Sequence, residues 1–159
     1  MQKNLAELIA NCKGIIYICG NGGLAAESDH FAAELMGMYG EKDIYIPCVS
    51  LTSNNSLLTA LSNDICFEVI YEHQINILVK PEDIVIGMTT SNSENILYAI
   101  DAANSKKCIT ILISNYDEIG NADYNYVMDG IDSADTQEKI IHFLHSVARE
   151  VKMIKKVLS

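Results

Sequence analysis

His30 and Glu34 stand four residues apart, one turn along the same face if the segment is helical. An imidazole and a carboxylate so placed can pass a proton between them, or share a divalent cation through nitrogen and oxygen. The same spacing is common between surface side chains, so the pair needs a setting. Just ahead lies Gly20-Asn21-Gly22-Gly23, preceded by the apolar run Ile15-Ile16-Tyr17-Ile18-Cys19. A buried strand, a glycine turn and a helix N-terminus let backbone approach a small anion or sugar closely. A second polar loop, Thr89-Thr90-Ser91-Asn92-Ser93, offers hydroxyls directly before another helical stretch. Hydroxyls and free helix N–H groups can hold a phosphate without any cation. The bland alternative for that loop is a strand-to-helix turn capped by Ser93. Further on, Gln137, Glu138, His142 and His145 share one helical segment. Gln137 and His145 can point to roughly one side, but Glu138 and His142 form a competing pair, and composition does not choose between them.

The elements that must position these residues alternate along the chain. Helices are expected over about residues 5–10, 25–39, 56–62, 67–79, 95–105 and 136–157. Strands are expected over 15–19, 48–51, 84–88 and 109–113, with a short one at 126–128. The last helix carries a core-facing stripe of Ile140, Ile141, Leu144, Val147, Ala148 and Val151. Continuous apolar strands between helices predict an α/β fold, a three-layer sandwich with a mainly parallel sheet covered on both faces. Ligands in such folds bind beyond the carboxyl ends of the strands, where both polar loops fall.

Composition narrows the function. The chain has 159 residues, 49% of them hydrophobic and 20% charged, as in a folded globular domain. Its formal net charge of −10 repels phosphate backbones, which argues against nucleic-acid binding but not against a local phosphate pocket. The five cysteines include no C-x-x-C pair and read as buried free thiols of a reducing compartment. No apolar run reaches the ~18 residues of a membrane span, and residues 1–13 lack a signal-peptide core. The expected location is cytoplasmic, away from membranes.

Taken in order, Gly20-Asn21-Gly22-Gly23, His30-Phe31-Ala32-Ala33-Glu34-Leu35, Leu57-Leu58-Thr59-Ala60-Leu61-Ser62-Asn63-Asp64, Thr89-Thr90-Ser91 with Asn92-Ser93, and Gln137-Glu138 with His145 make the chain resemble bacterial phosphoheptose isomerases of the sugar isomerase (SIS) superfamily. The resemblance runs from Gly14 to about Ile154. It implies a single flavodoxin-like SIS domain over 1–159 with a five-stranded sheet. It implies a divalent metal, typically zinc, at His30, Glu34, Gln137 and His145, and so favours Gln137 and His145 over the competing pair. Asn21, Gly22, Gly23, Asn63, Asp64 and Gln137 would contact the sugar, and Thr89, Thr90, Ser91 and Ser93 the phosphate. Glu34 as base and His145 as acid would isomerise sedoheptulose 7-phosphate through an enediol. The alternatives are a non-catalytic SIS protein that senses a sugar phosphate or binds a protein partner, and an isomerase for another sugar. A homotetramer is implied, with a dimer as fallback because only thirteen residues precede Gly14.

The chain departs from the family pattern at four places. Leu24 replaces a serine, Met38 and Asp135 replace arginines, and the 89–93 loop lacks one glycine position. Leu24 is expected to put an apolar group on the pocket wall and weaken phosphate binding, which Leu24→Ser would restore.

Overall fold

The computed structural model describes residues 2–41, 43–116 and 119–158; the expected domain limits, Met1 and Ser159, lie outside them. The elements in chain order are α1 (Gln2–Asn11), β1 (Ile16–Gly20), α2 (Gly23–Met36), β2 (Cys48–Ser50), α3 (Asn55–Asp64), a 3₁₀ turn (Phe67–Val69), α4 (Ile70–Leu78), β3 (Ile84–Thr89), α5 (Glu94–Lys106), β4 (Ile109–Ser114), β5 (Tyr124–Val127) and α6 (Ser133–Leu158). The strands form one sheet in the order β2-β1-β3-β4-β5, and every pairing is parallel.

The two-residue period of the strands sorts their side chains into two cores. Ile16 and Ile18 of β1, Ile84, Ile86 and Met88 of β3, and Ile111 and Ile113 of β4 pack under α1, α2 and α6. Tyr17, Cys19, Val85 and Leu112 face the other way, under α3, α4 and α5. Both faces are therefore buried, which is why these strands read as unbroken apolar runs. The connection from β1 leads outward to β2 on one side, while β3 lies on the other. The crevice between the carboxyl ends of β1 and β3 is thus the switch point where ligands bind in doubly wound sheets. The register Gly20↔Met88 brings both polar loops to that crevice.

Several boundaries differ from expectation. Helix α2 begins two residues earlier, at Gly23, and stops at Met36, because the Gly37 N–H closes onto Ala33 O (2.7 Å) and the backbone there turns extended. The last strand falls at Tyr124–Val127 instead of 126–128. There Tyr126 enters the core, and Asp123 fixes the strand's start by accepting the Thr110 N–H (2.9 Å). Helix α6 starts at Ser133. Among the described residues no helix is long and apolar enough to cross a membrane.

Burial pushes the Cys19 and Cys48 thiols up to about 12, from an ordinary 9.0. The unfolded thiols ionise above pH 9 while the folded ones stay protonated, so their contribution to stability is complete below pH 9 and fades as pH rises towards 12. The urea midpoint, measured under reductant, is expected to fall between pH 9 and 10.5. Cys19→Ala with Cys48→Ala should flatten that slope; an unchanged slope would contradict the assignment.

Candidate active site

The turn after β1 is shaped by glycine. Gly22 sits at φ 57°, ψ −122°, a conformation closed to other residues, and immediately precedes α2. A methyl at Gly23 would collide with the Gln137 amide, so α6 approaches the first turn of α2 as closely as glycine allows. Asn21 is gripped from α5: its amide and that of buried Asn95 exchange two hydrogen bonds of 2.8 and 2.9 Å. The hydroxyl of Tyr71, on α4, donates to Gly20 O at 2.6 Å. Asn21, Gly22, Asn63 and Tyr71 border a cavity of about 530 Å³ whose other wall includes Phe67 and Ile70. Asp64 is exposed and accepts the Asn63 amide (2.8 Å).

About two turns further along α2, a polar cluster forms against α6. His30 Nε2 and His145 Nε2 each lie 2.9 Å from Glu34 Oε1, and the two nitrogens are 3.2 Å apart with their rings edge-on. Glu34 is 7% exposed, and its second oxygen is buried with no hydrogen-bond partner among the described residues. Two imidazole nitrogens facing one carboxylate oxygen, with the other oxygen unsatisfied, is a donor set suited to a divalent cation. Three of the four implied ligands thus converge. The fourth, Gln137, stands eight residues before His145, with its amide against Gly23. Glu138 and His142 are exposed and border a different cavity, with Asp129 and Lys3, so the helix's competing pair is not part of this cluster.

Behind the cluster lies a residue that the sequence reading did not single out. Lys152, seven residues after His145 on α6, is fully buried and donates to Gly37 O at 2.6 Å. Burial lowers its ammonium below the ordinary range, opposed by the Glu34 carboxylate. The (i, i+7) spacing from His145 was the available signal. Asn95 and Tyr71 were likewise missed; a buried asparagine in a first helical turn is only a faint cue, and nothing in the sequence aims the Tyr71 hydroxyl at Gly20.

The 89–93 loop folds around the Thr89 hydroxyl, which accepts from the backbone N–H groups of Ser91 and Ser93 (3.2 Å each). Ser93 occupies the N-cap of α5, yet its hydroxyl makes no capping bond and turns to Thr89 (3.3 Å) and Ser91 (3.1 Å). Thr89, Ser91 and Ser93 therefore converge; Thr90 is half-buried beside them. One departure is resolved differently from expectation. Leu24 is 2% exposed and packs into the core under α2 and α6, so it does not form a pocket wall. Leu24→Ser is accordingly expected to cost about 2–5 kcal/mol of stability, by analogy with leucine truncation. It should bring no gain in phosphate affinity, as paired urea melts and calorimetric titrations would reveal. Asp135 serves the start of α6, where it pairs with Lys139 (2.9 Å) and accepts the Ile131 N–H (2.9 Å); the Lys139 contact chiefly holds its carboxyl below the usual range. Met38 is largely exposed.

The fold and the paired helices define the class: a family model described as the SIS domain matches residues 2–115. The phosphoheptose isomerase of Campylobacter concisus is 37% identical over 153 residues, covering 92% of this chain and 79% of that protein. That of Syntrophotalea carbinolica is 46% identical over 101 residues, 63% of this chain and about half (52%) of the relative's length. The solved phosphoheptose isomerase of Neisseria gonorrhoeae superposes with a TM-score of 0.83 at 30% identity, covering 94% of this chain and 85% of that one. The chain belongs to the SIS-domain family, on its phosphoheptose isomerase branch.

Proposed function

We propose that the protein is an aldose–ketose isomerase that interconverts sedoheptulose 7-phosphate and an aldoheptose 7-phosphate. The convergence of His30, Glu34 and His145 beside the sugar-facing turn carries this reading. The sugar lies along Asn21, Gly22, Gly23, Asn63 and Asp64, with Gln137 closing over Gly23. Its phosphate is held by Thr89, Thr90, Ser91, Ser93 and the N-terminus of α5. In the ketose-to-aldose direction Glu34 removes a proton from C1, using the oxygen that has no hydrogen-bond partner among the described residues, while His145 protonates the carbonyl oxygen at C2. The resulting enediol collapses when the C1 hydroxyl loses its proton to His145 and Glu34 returns a proton to C2. Each residue ends in its starting state.

The donor set fits a divalent cation, for which zinc is our proposal, with His30, Glu34 and His145 as ligands and Gln137 as the fourth; a His145 nitrogen that ligates carries no proton, so the acid role belongs to His145 released from the ion. When bound, such an ion supplies Lewis acidity towards the sugar oxygens. We further propose a single SIS domain over the whole chain, a cytoplasmic location consistent with its five free cysteines, and a homotetramer with a dimer as the lesser alternative. Exposed Met36, Met38, Ile65 and Phe67 offer apolar surface for that assembly.

The test is incubation with sedoheptulose 7-phosphate, followed by NMR for the aldose anomeric signal, with and without zinc. No aldose under either condition sinks the reading. Met38 and Asp135 at the arginine positions favour a second reading, an isomerase for a sugar held with less help from phosphate. A comparable KM for the unphosphorylated heptulose would support it.

A further inference from the structure

The carbonyl of Gly20 has an unusual position. Strand β2 stops pairing with β1 at Ile18↔Ser50, so the last two residues of β1 pair only with β3. The Gly20 carbonyl accordingly lies beyond the reach of a β2 donor, on the side of the sheet covered by α4. Tyr71 fills that place. Tyr71 is 2% exposed, its hydroxyl donates to Gly20 O at 2.6 Å, and the hydroxyl oxygen lies 3.5 Å from Asn21 Oδ1. Burial raises the phenol well above its ordinary range, with Cys19 and Asp29 adding to the effect, so the hydroxyl stays protonated and can donate. Tyr71 also borders the cavity that Asn21 and Gly22 face.

We propose that Tyr71 is a positioning residue for the sugar-contacting turn, an inference that rests on the isomerase reading above. The 20–23 turn is held at both ends and in its middle. Tyr71 fixes the peptide that joins Gly20 to Asn21, Asn95 fixes the Asn21 amide, and the N–H groups of Leu24 and Ala25 close onto Asn21 O and Gly22 O. Of these anchors, Tyr71 sets the direction in which the chain leaves the sheet, and hence how Asn21, Gly22 and Gly23 meet a sugar. The cluster of His30, Glu34 and His145 lies about two turns away along α2.

Tyr71→Phe removes one oxygen and keeps the ring, so packing is preserved. The expected result is a KM for sedoheptulose 7-phosphate raised about five- to tenfold, the loss of one hydrogen bond's worth of positioning. The kcat should stay within about twofold and zinc affinity should be unchanged, a split that simple destabilisation would not produce. The Asn21 side-chain amide, followed by ¹⁵N NMR, should exchange faster with solvent in the variant. An unchanged KM in the variant overturns the proposal, whatever the melting temperature does. If the wild type itself gives no turnover, the isomerase reading fails separately. The exchange rate of the Asn21 amide then decides the positioning claim alone, and an unaltered rate overturns it.

Discussion

Glu34→Gln is expected to lower kcat for heptulose isomerisation by about 10²–10⁴-fold, the range for removing a positioned general base. Glutamine has the same shape and keeps an amide oxygen for the imidazoles, but it cannot take a proton from carbon. The site around it is tightly determined: both histidine Nε2 atoms sit 2.9 Å from one carboxylate oxygen, and the residue is nearly enclosed. The variant should fold, which circular dichroism would verify, and should melt lower than wild type, because buried Lys152 loses the charge that opposes its desolvation. Turnover within tenfold of wild type would remove Glu34 from the role of base.

The second large effect concerns metal. After equilibration with zinc and desalting, the wild type is expected to retain about one ion per chain, and His30→Ala with His145→Ala less than about a tenth of that, since two of the converging donors are gone. Glu138→Ala with His142→Ala supplies the control. Glu138 and His142 offer a carboxylate and an imidazole four residues apart on α6, as Glu34 and His30 do on α2, but they face another cavity, and their loss should leave zinc content unaltered. Equal metal in wild type and the His30/His145 variant would refute the site. Loss in the control variant would mean that the wrong face of α6 had been assigned.

That choice of face marks the boundary between what was legible in the sequence and what was not. The strand interiors were legible because a strand buried on both sides must be apolar throughout, and runs such as Ile84 to Met88 have few other uses. The alternation with helices then dictated a parallel doubly wound sheet, and the glycines and hydroxyls at strand ends marked its ligand edge. His30 with Glu34 was legible because four residues is one helical turn. By contrast, His142 and His145 lie only about 60° apart around α6, and sequence spacing carries no information about which of them meets α2. The docking of α6 decided that, through the core stripe from Ile140 to Val151. Leu24 shows the same limit in reverse. Its position in the chain is that of a pocket residue, but α2 starts two residues earlier than the pattern suggested, and the side chain turns into the core. Tyr71, Asn95 and Lys152 were beyond reading from sequence, because each acts across 51 to 115 residues of chain, Tyr71 and Lys152 on backbone carbonyls that any sequence would possess and Asn95 on the distant Asn21 amide. Local spacing fixes which side chains share a face; only the packed helices fix what that face looks upon.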